Sequence, residues 1–583
     1  MKKDVYEWAI EDIYENEDEW RKDFIKVSSL LDFSEFKGKL GEKESFKECM
    51  KKKETVTRLI EKLGLYSMMK HDMDTADASA DALESEITSI CAKYSQSLAF
   101  LTPELTALPE EVLRGYVSSP DLKEYDYTLK CLIEQKSHVL GEKEEEILAL
   151  ASETTSSFRD IFTKTDNADL PLPVVKHKGK SYPLSHGLYG VLMQNEDRTL
   201  RKKVFKAYYG AYKSLINTVS ATYVGSVRKD VFYSKARKYD SSLSMALADE
   251  DVKEDVYLTL VSSVRKALPL LHRYVALKKR FLGLKEMHMY DMYVPVCDDG
   301  FKLKYDDAYD LVIKGLSPLG KEYGELLLRA KRERWISVYE KKGKRSGAYS
   351  CGVFDTHPFV LLNYTETTHD IFTIAHEMGH SIHTYFSNRT QPYAKADYRI
   401  FVAEVASTVN EVLLVKYLLS QAKDENSKKY LLCYLAEMIR TTLFRQTQFS
   451  EFEEFSHSSQ EQGIPLTKEN LSEKYFELNK EYYGDAVISD DEIKYEWARI
   501  PHFYRAFYVY KYATGITSAL AIAGRISEEG EPAVKDYFKF LSSGGSDDPV
   551  SLLKIAGVDL TDEKTFENAF SVFADALEQM EKL

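Results

Sequence analysis

The chain is poor in cysteine, tryptophan, glycine and proline, and it has no long apolar run. Six cysteines in 583 residues, none of them in a C-x-x-C pair, exclude a disulfide framework and a thiolate zinc site. No stretch approaches 18 uncharged apolar residues. The richest, Ile516 to Ala523, is far too short to span a bilayer. The opening segment MKKDVYEWAIEDIYENEDEW is interrupted by acids throughout, so no conventional secretory signal is expected there. Positive charge is also short: 79 Lys and Arg stand against 93 Asp and Glu, a net of −14. A phosphate backbone would repel such a chain, so nucleic acid is not an expected partner. The expectation is a reduced, cytoplasmic, soluble protein with no membrane partner. Nothing in the sequence specifies an oligomeric state.

What is present reads as a folded, mainly helical protein. Hydrophobic residues make up 44% and charged residues 30%, enough for a sizeable core. The length suggests roughly three or four packing units. There are 40 Tyr against 28 Phe and 4 Trp. Tyr carries a polar handle, so some could line a wet cleft, while surface and core-edge positions are the ordinary expectation. With only 27 Gly and 15 Pro, long segments keep helical spacing, as in Val56-Leu59-Leu63 and Val256-Leu260-Val264-Leu268.

Two regions break that texture. Asp166 to Ser185 alternates around Lys178-Gly179 and predicts a short hairpin near 171–184. It would close an N-terminal helical region, 1–195, ahead of a catalytic domain, 196–583. Gly343 to Tyr364 is punctuated by Gly343, Gly347 and Gly352 and contains the apolar run PFVLLNY. It predicts two strands joined by a turn near Asp355 to Pro358. That small sheet would stand beside the next helix.

This next helix carries the chemistry. Thr367 and Asp370 open it with capping-box spacing, and it runs on to His376-Glu377-Met378-Gly379-His380. His376 and His380 project about 40° apart from adjacent turns. Their imidazoles can share one zinc ion, with Glu377 beside them to polarise a metal-bound water. His383 lies two turns beyond His376, about 10 Å along the axis. It is expected behind the ligands or on a cleft wall. Downstream, Glu404, Ser407, Thr408 and Glu411 share one face of an otherwise apolar helix. Acids in such a setting are costly unless paired or metal-bound. Glu404 is the expected third ligand, and Glu411 would orient an imidazole or the Glu404 carboxylate from behind. Two His, one Glu and an open position form the catalytic zinc pattern.

His376-Glu377-Met378-Gly379-His380 followed by Ala403-Glu404-Val405-Ala406-Ser407 resembles the thimet oligopeptidase class of zinc metallopeptidases, and within it the oligoendopeptidase F branch. Gly347-Ala348-Tyr349-Ser350, the PFVLLNY strand, Asn195-Glu196-Asp197-Arg198 and the block Trp497 to Gly515 extend the likeness. The resemblance implies a mostly α fold: a two-lobed helical zincin ellipsoid with a deep substrate channel and zinc, one ion per chain, on its floor. It implies internal cleavage of short, unstructured oligopeptides. It also implies that a His and a Tyr from the block Trp497 to Gly515 donate hydrogen bonds to the substrate carbonyl and the oxyanion. His502 matches the His. The family's Tyr position falls on Phe507, and Tyr508 fits with a one-residue shift; Tyr504, Tyr510 and Tyr512 compete with it. Tyr504, Tyr508 and Tyr512 are four apart and would share one helical face.

The mechanism this suggests is metal-assisted peptide hydrolysis with Glu377 as general base and His502 and Tyr508 as oxyanion donors. A carboxypeptidase or dipeptidyl carboxypeptidase on the same scaffold is the nearest alternative. It would need a clamp for a free C-terminus, which no residue here declares. A non-catalytic peptide binder is the alternative from another class, and it would have no use for Glu377.

Overall fold

The computed structural model describes residues 5–297 and 302–583. As expected, it is mainly helical, with two small sheets. The chain packs into two compact units, each woven from three segments: residues 1–139, 300–418 and 522–558 form the first, and residues 140–299, 419–521 and 559–583 the second. The division expected at residue 195 follows sequence order. Packing divides the chain elsewhere, because helices bury their apolar faces against sequence-distant partners. No described helix is long and apolar enough to cross a membrane.

The first unit is organised around a helical core that holds a small sheet. Trp20, Val27, Phe46, Leu63 and Met69 pack together with Phe359 and Leu361, and the Trp20 indole N–H donates to the Leu63 carbonyl at 3.0 Å. The hairpin strands of the second unit come earlier in the chain: β1 is Val174–His177 and β2 is Lys180–Pro183. The first unit's sheet comprises β3 (Ile336–Ser337), β4 (Tyr349–Cys351) and β5 (Phe359–Leu361) in the order β3-β5-β4. β5 is central, parallel to β3 and antiparallel to β4. All three of its residues are buried, which is why PFVLLNY is continuously apolar where a half-exposed strand would alternate. The expected pair of strands is thus present, with its turn at 354–355; β3, only two residues long, had no readable signal. Asp72, buried at the end of helix Lys43–Met73, accepts from the Tyr349 hydroxyl at 2.5 Å. The N-terminal helices therefore grip β4 directly.

In the second unit the predicted hairpin forms with Lys178 and Gly179 both at positive φ, 48° and 76°. Two such residues make the turn whose twist matches paired strands. The Lys178 amine and the His177 ring both meet the Asp197 carboxylate, at 2.7 and 2.8 Å, which also caps helix Arg198–Ser214. These contacts hold the Asp197 carboxyl well below the usual range. The tyrosines correct an expectation. Tyr208, Tyr209, Tyr212, Tyr223, Tyr257 and Tyr274 are fully buried in this unit, neither lining a cleft nor at the core edge. Their hydroxyls are satisfied inside: Tyr257 donates to the Ser450 carbonyl at 2.7 Å and Tyr274 to Glu437 at 2.5 Å. A tyrosine with an internal partner is as good a core residue as phenylalanine.

Candidate metal centre

The motif helix, Thr368–Thr390, begins with the capping box foreseen for it. The Asp370 N–H donates to the Thr367 hydroxyl at 3.3 Å, and the Asp370 carboxylate accepts from the Thr367 and Thr365 backbone N–H groups at 2.9 and 3.0 Å. With its start pinned, the helix carries His376 and His380 on adjacent turns beside β4, to which Ser381 is joined through Ser350 at 2.8 Å.

The third group arrives on helix Ile400–Gln421. Glu404 Oε2 stands 3.3 Å from His376 Nε2 and 3.5 Å from His380 Nε2, and the two Nε2 atoms are 3.2 Å apart. Tetrahedral zinc with bonds near 2.0–2.2 Å needs ligand atoms about 3.3–3.6 Å from one another. The triangle has that size, and all three residues are part-exposed, so the fourth position can be reached. Glu411 Oε1 lies 2.5 Å from His376 Nδ1. This fixes the Nε2 lone pair toward the other ligands, so of its two expected roles Glu411 takes the imidazole. The electrostatics favour a cation here. Burial lowers the His376 pKa, yet hydrogen bonds to Glu404 and Glu411 outweigh it and hold it up at about 10. Burial likewise raises Glu404, but its hydrogen bonds to the two imidazoles hold it well below the usual carboxylate range. A site that binds a proton this firmly presents the field a dication needs.

Glu377 is buried beside the pair. Burial raises its pKa, with the neighbouring imidazoles pulling the other way. A carboxylate whose pKa is raised by burial is a stronger base than one in water, which suits it to take up a proton.

Two residues that hold the site together escaped the sequence reading. Gly379 sits where the two helices touch. A Cβ there would lie 2.5 Å from Ser407 Cα and 2.7 Å from the Ala406 carbonyl oxygen. Asn410, fully buried, donates to the Ala375 carbonyl at 2.9 Å and accepts from the Tyr323 hydroxyl at 2.9 Å. The available signals were a glycine in mid-helix between two ligands, where it weakens the helix by about 1 kcal/mol, and a lone amide among Val and Leu.

His383, expected behind the ligands or on a cleft wall, is not on a wall. It is 1% exposed, stacked on Tyr398 at 3.8 Å with Phe540 at 5.3 Å, and burial pushes its pKa down to about 3. It is a neutral member of an aromatic stack, not a cleft wall.

His502 and Tyr508 lie in the second unit. Their rings are nearly parallel at 6.0 Å, and Tyr512 meets both, at 5.9 and 5.4 Å. Burial lowers the His502 pKa, followed by the Arg505 charge, which leaves a neutral imidazole able to donate. The shared helical face expected for Tyr504, Tyr508 and Tyr512 is absent. A short turn, Pro501–Tyr504, ends before a break at 505–509, and a new helix starts at Tyr510. Tyr504 turns inward onto Phe162 at 4.4 Å, and Tyr510 onto Tyr257 at 5.6 Å. Tyr508 and Tyr512 are the tyrosines left beside His502.

A helix bearing H-E-x-x-H, a Glu from a second helix closing the ligand triangle and a small sheet alongside define a metallopeptidase. The comparisons agree: the chain belongs to peptidase family M3, matched over residues 191–572, with a match to the oligopeptidase F family over residues 104–171. It is 41% identical to oligopeptidase PepF of Bacillus subtilis (strain 168), over 99% of this chain and 87% of that protein. It is 38% identical to an oligoendopeptidase F homolog of Lactococcus lactis, over 99% and 97%. Among solved structures it resembles a Chlamydophila abortus protein (TM-score 0.94, 36% identity, 99% and 98% covered) and the oligoendopeptidase-F of Enterococcus faecium (TM-score 0.74, 34% identity, 97% and 99% covered).

Two substitutions separate orientation from approach. Glu411→Gln should weaken metal retention about 10- to 100-fold, because only the imidazole's support is changed. Gly379→Ala should weaken it at least as much, since the helices must part by a few tenths of an ångström or more. Metal content after dialysis against graded chelator measures both; wild-type retention in Gly379→Ala would refute the close-approach argument.

Proposed function

We propose that this chain is a zinc-dependent endopeptidase that hydrolyses internal bonds of short, unstructured oligopeptides. The observation that carries the reading is the ligand triangle of His376, His380 and Glu404 with Glu377 on the same helix. The names of the relatives, oligopeptidase and oligoendopeptidase, support the substrate class. When bound, zinc would supply Lewis acidity to a water molecule and to the scissile carbonyl.

The residues of the chain do the rest. Glu377 takes a proton from the attacking water as the new C–O bond forms. It passes that proton to the departing amine as the C–N bond breaks, so the carboxylate is regenerated each cycle. His502 and Tyr508 are the proposed donors to the oxyanion; one such donor is typically worth about 10²–10³ in rate. β4 ends its sheet, and the segment before it is ordered by Asn363, whose side chain donates to the Arg345 and Gly347 carbonyls at 2.9 and 2.8 Å. An extended peptide can add to such an edge through its own backbone groups. A reducing, cytoplasmic setting is the reading that the sparse cysteines, with no C-x-x-C pair, support.

Glu377→Gln should keep its zinc and its fold yet lose about 10²–10⁴-fold in kcat, since it removes the base and no ligand. Wild-type turnover with unchanged zinc content would sink the assignment. Chelation should abolish wild-type activity and added zinc restore it, read on one quenched peptide.

The substrate prediction follows from strand addition. A peptide can pair with β4 only if its backbone N–H and C=O groups are free, and in a folded domain they are already bonded. A flexible peptide of about 5–20 residues should therefore be cut internally, while the same segment grafted into a stable host survives without local unfolding. Mass spectrometry of both digests decides it: equal cleavage would contradict the requirement, and products trimmed only from the C-terminus would mark an exopeptidase.

A further inference from the structure

Between His502 and Tyr508 the backbone does something a bulky residue avoids. Phe507 has φ of 51°, the left-handed region where a side chain crowds its own carbonyl. Such a conformation persists only where the surroundings over-determine it. Its ring is buried against Tyr257 at 6.0 Å and His457 at 4.7 Å, and its backbone N–H donates to Glu453 Oε1 at 3.1 Å.

Glu453 is itself anomalous. It lies in helix Arg445–Glu461 with no exposed surface. Among the described residues its second oxygen, Oε2, has no hydrogen-bond partner and no cation pairs with it. Burial, with the nearby Asp230 charge, pushes its pKa well up, against the pull of the Phe507 N–H. A half-satisfied buried acid is destabilising, and a core built for stability alone would hold a leucine there. The proposed mechanism gives it no chemical task.

What the bond does is local. By fixing Phe507 in the left-handed region it turns the chain so that Phe507 points inward and Tyr508 outward, beside His502. Around Tyr508, Arg505 at 4.3 Å and Lys511 at 5.2 Å flank the ring, and Lys511 is tied to Glu250 by an ion pair. With Phe507 at negative φ, the residues after it would leave in another direction and the pair would separate. We infer that Glu453 is a positioning residue, whose carboxyl holds the Phe507 N–H and so sets Tyr508 against His502 in the geometry that oxyanion donation requires. This rests on the donor roles proposed above.

Glu453→Gln and Glu453→Met test it, since both side chains have the length of Glu but only Gln keeps an acceptor. Glu453→Met is expected to lower kcat on one internally cleaved peptide about 10- to 100-fold, as misplaced donors do, with zinc content unchanged and KM within about 2-fold. Glu453→Gln should keep at least about half of wild-type kcat, because an amide oxygen accepts the same bond. Hydrogen exchange of the Phe507 amide should be slow in the wild type and the Gln variant and fast in the Met variant. Wild-type kcat in Glu453→Met overturns the inference, and so does an equal loss in Glu453→Gln. A Met variant that fails to fold while the Gln variant folds overturns it too, because the bond would then be serving the unit's core. His502→Ala and Tyr508→Phe run alongside: wild-type kcat in both refutes the donor reading and the inference with it. Loss in both with an unchanged Glu453→Met strikes the inference alone.

Discussion

Two helices meeting at backbone distance is the constraint on which the metal centre depends. At Gly379 the motif helix has no side chain, and the backbone of Ala406 and Ser407 occupies the space where one would be. That approach lets Glu404, a short step from its own helix axis, reach the imidazoles of a different helix. Asn410 locks the same contact from one turn further on by bonding across to Ala375. Ser407 adds a hydrogen bond from its hydroxyl to Glu404 Oε2 at 3.2 Å. The spacing of the three candidate ligand atoms is thus set by the packing of the two helices.

The charges of the site follow from the same arrangement. Glu404 and Glu411 bracket His376 from its two nitrogens, one in the ligand triangle and one behind it. Each nitrogen of His376 therefore has a defined carboxylate partner. The net acidity of the chain has no part in this, because two carboxylates within hydrogen-bonding distance outweigh a diffuse surface charge that salt screens.

Most of the geometry of the candidate metal centre was legible in the sequence, because much of it is local in one helix. His376 and His380 are brought together by helical periodicity alone, and Glu404 and Glu411 declared themselves as acids on an apolar helix. The paired strands β4 and β5 and the hairpin at Lys178-Gly179 were legible for the same reason, in turn residues and apolar runs. What failed to show depends on partners distant in sequence. His383 became part of an aromatic stack because Tyr398 and Phe540 arrive beside it. The tyrosines entered the core because buried acceptors such as the Ser450 carbonyl await their hydroxyls. The helix expected through Tyr504, Tyr508 and Tyr512 is interrupted at Phe507, whose amide is bonded to Glu453, more than fifty residues earlier.

The weaving of the two packing units has a consequence for how the protein is made. The first unit needs residues 522–558, which follow nearly the whole of the second unit in the chain. During synthesis at about 5–20 residues per second, the helices that surround Trp20 wait roughly 10–45 seconds for Phe359 and Leu361, and the motif helix waits in turn for Phe538 and Phe540. Over that interval the apolar faces of residues 1–139 are partly uncovered, and a nascent-chain chaperone would find them exposed. The same topology forbids dissection. A fragment that holds His376, His380 and Glu404 but lacks the segment around Phe540 would leave that side of the His383 stack uncovered.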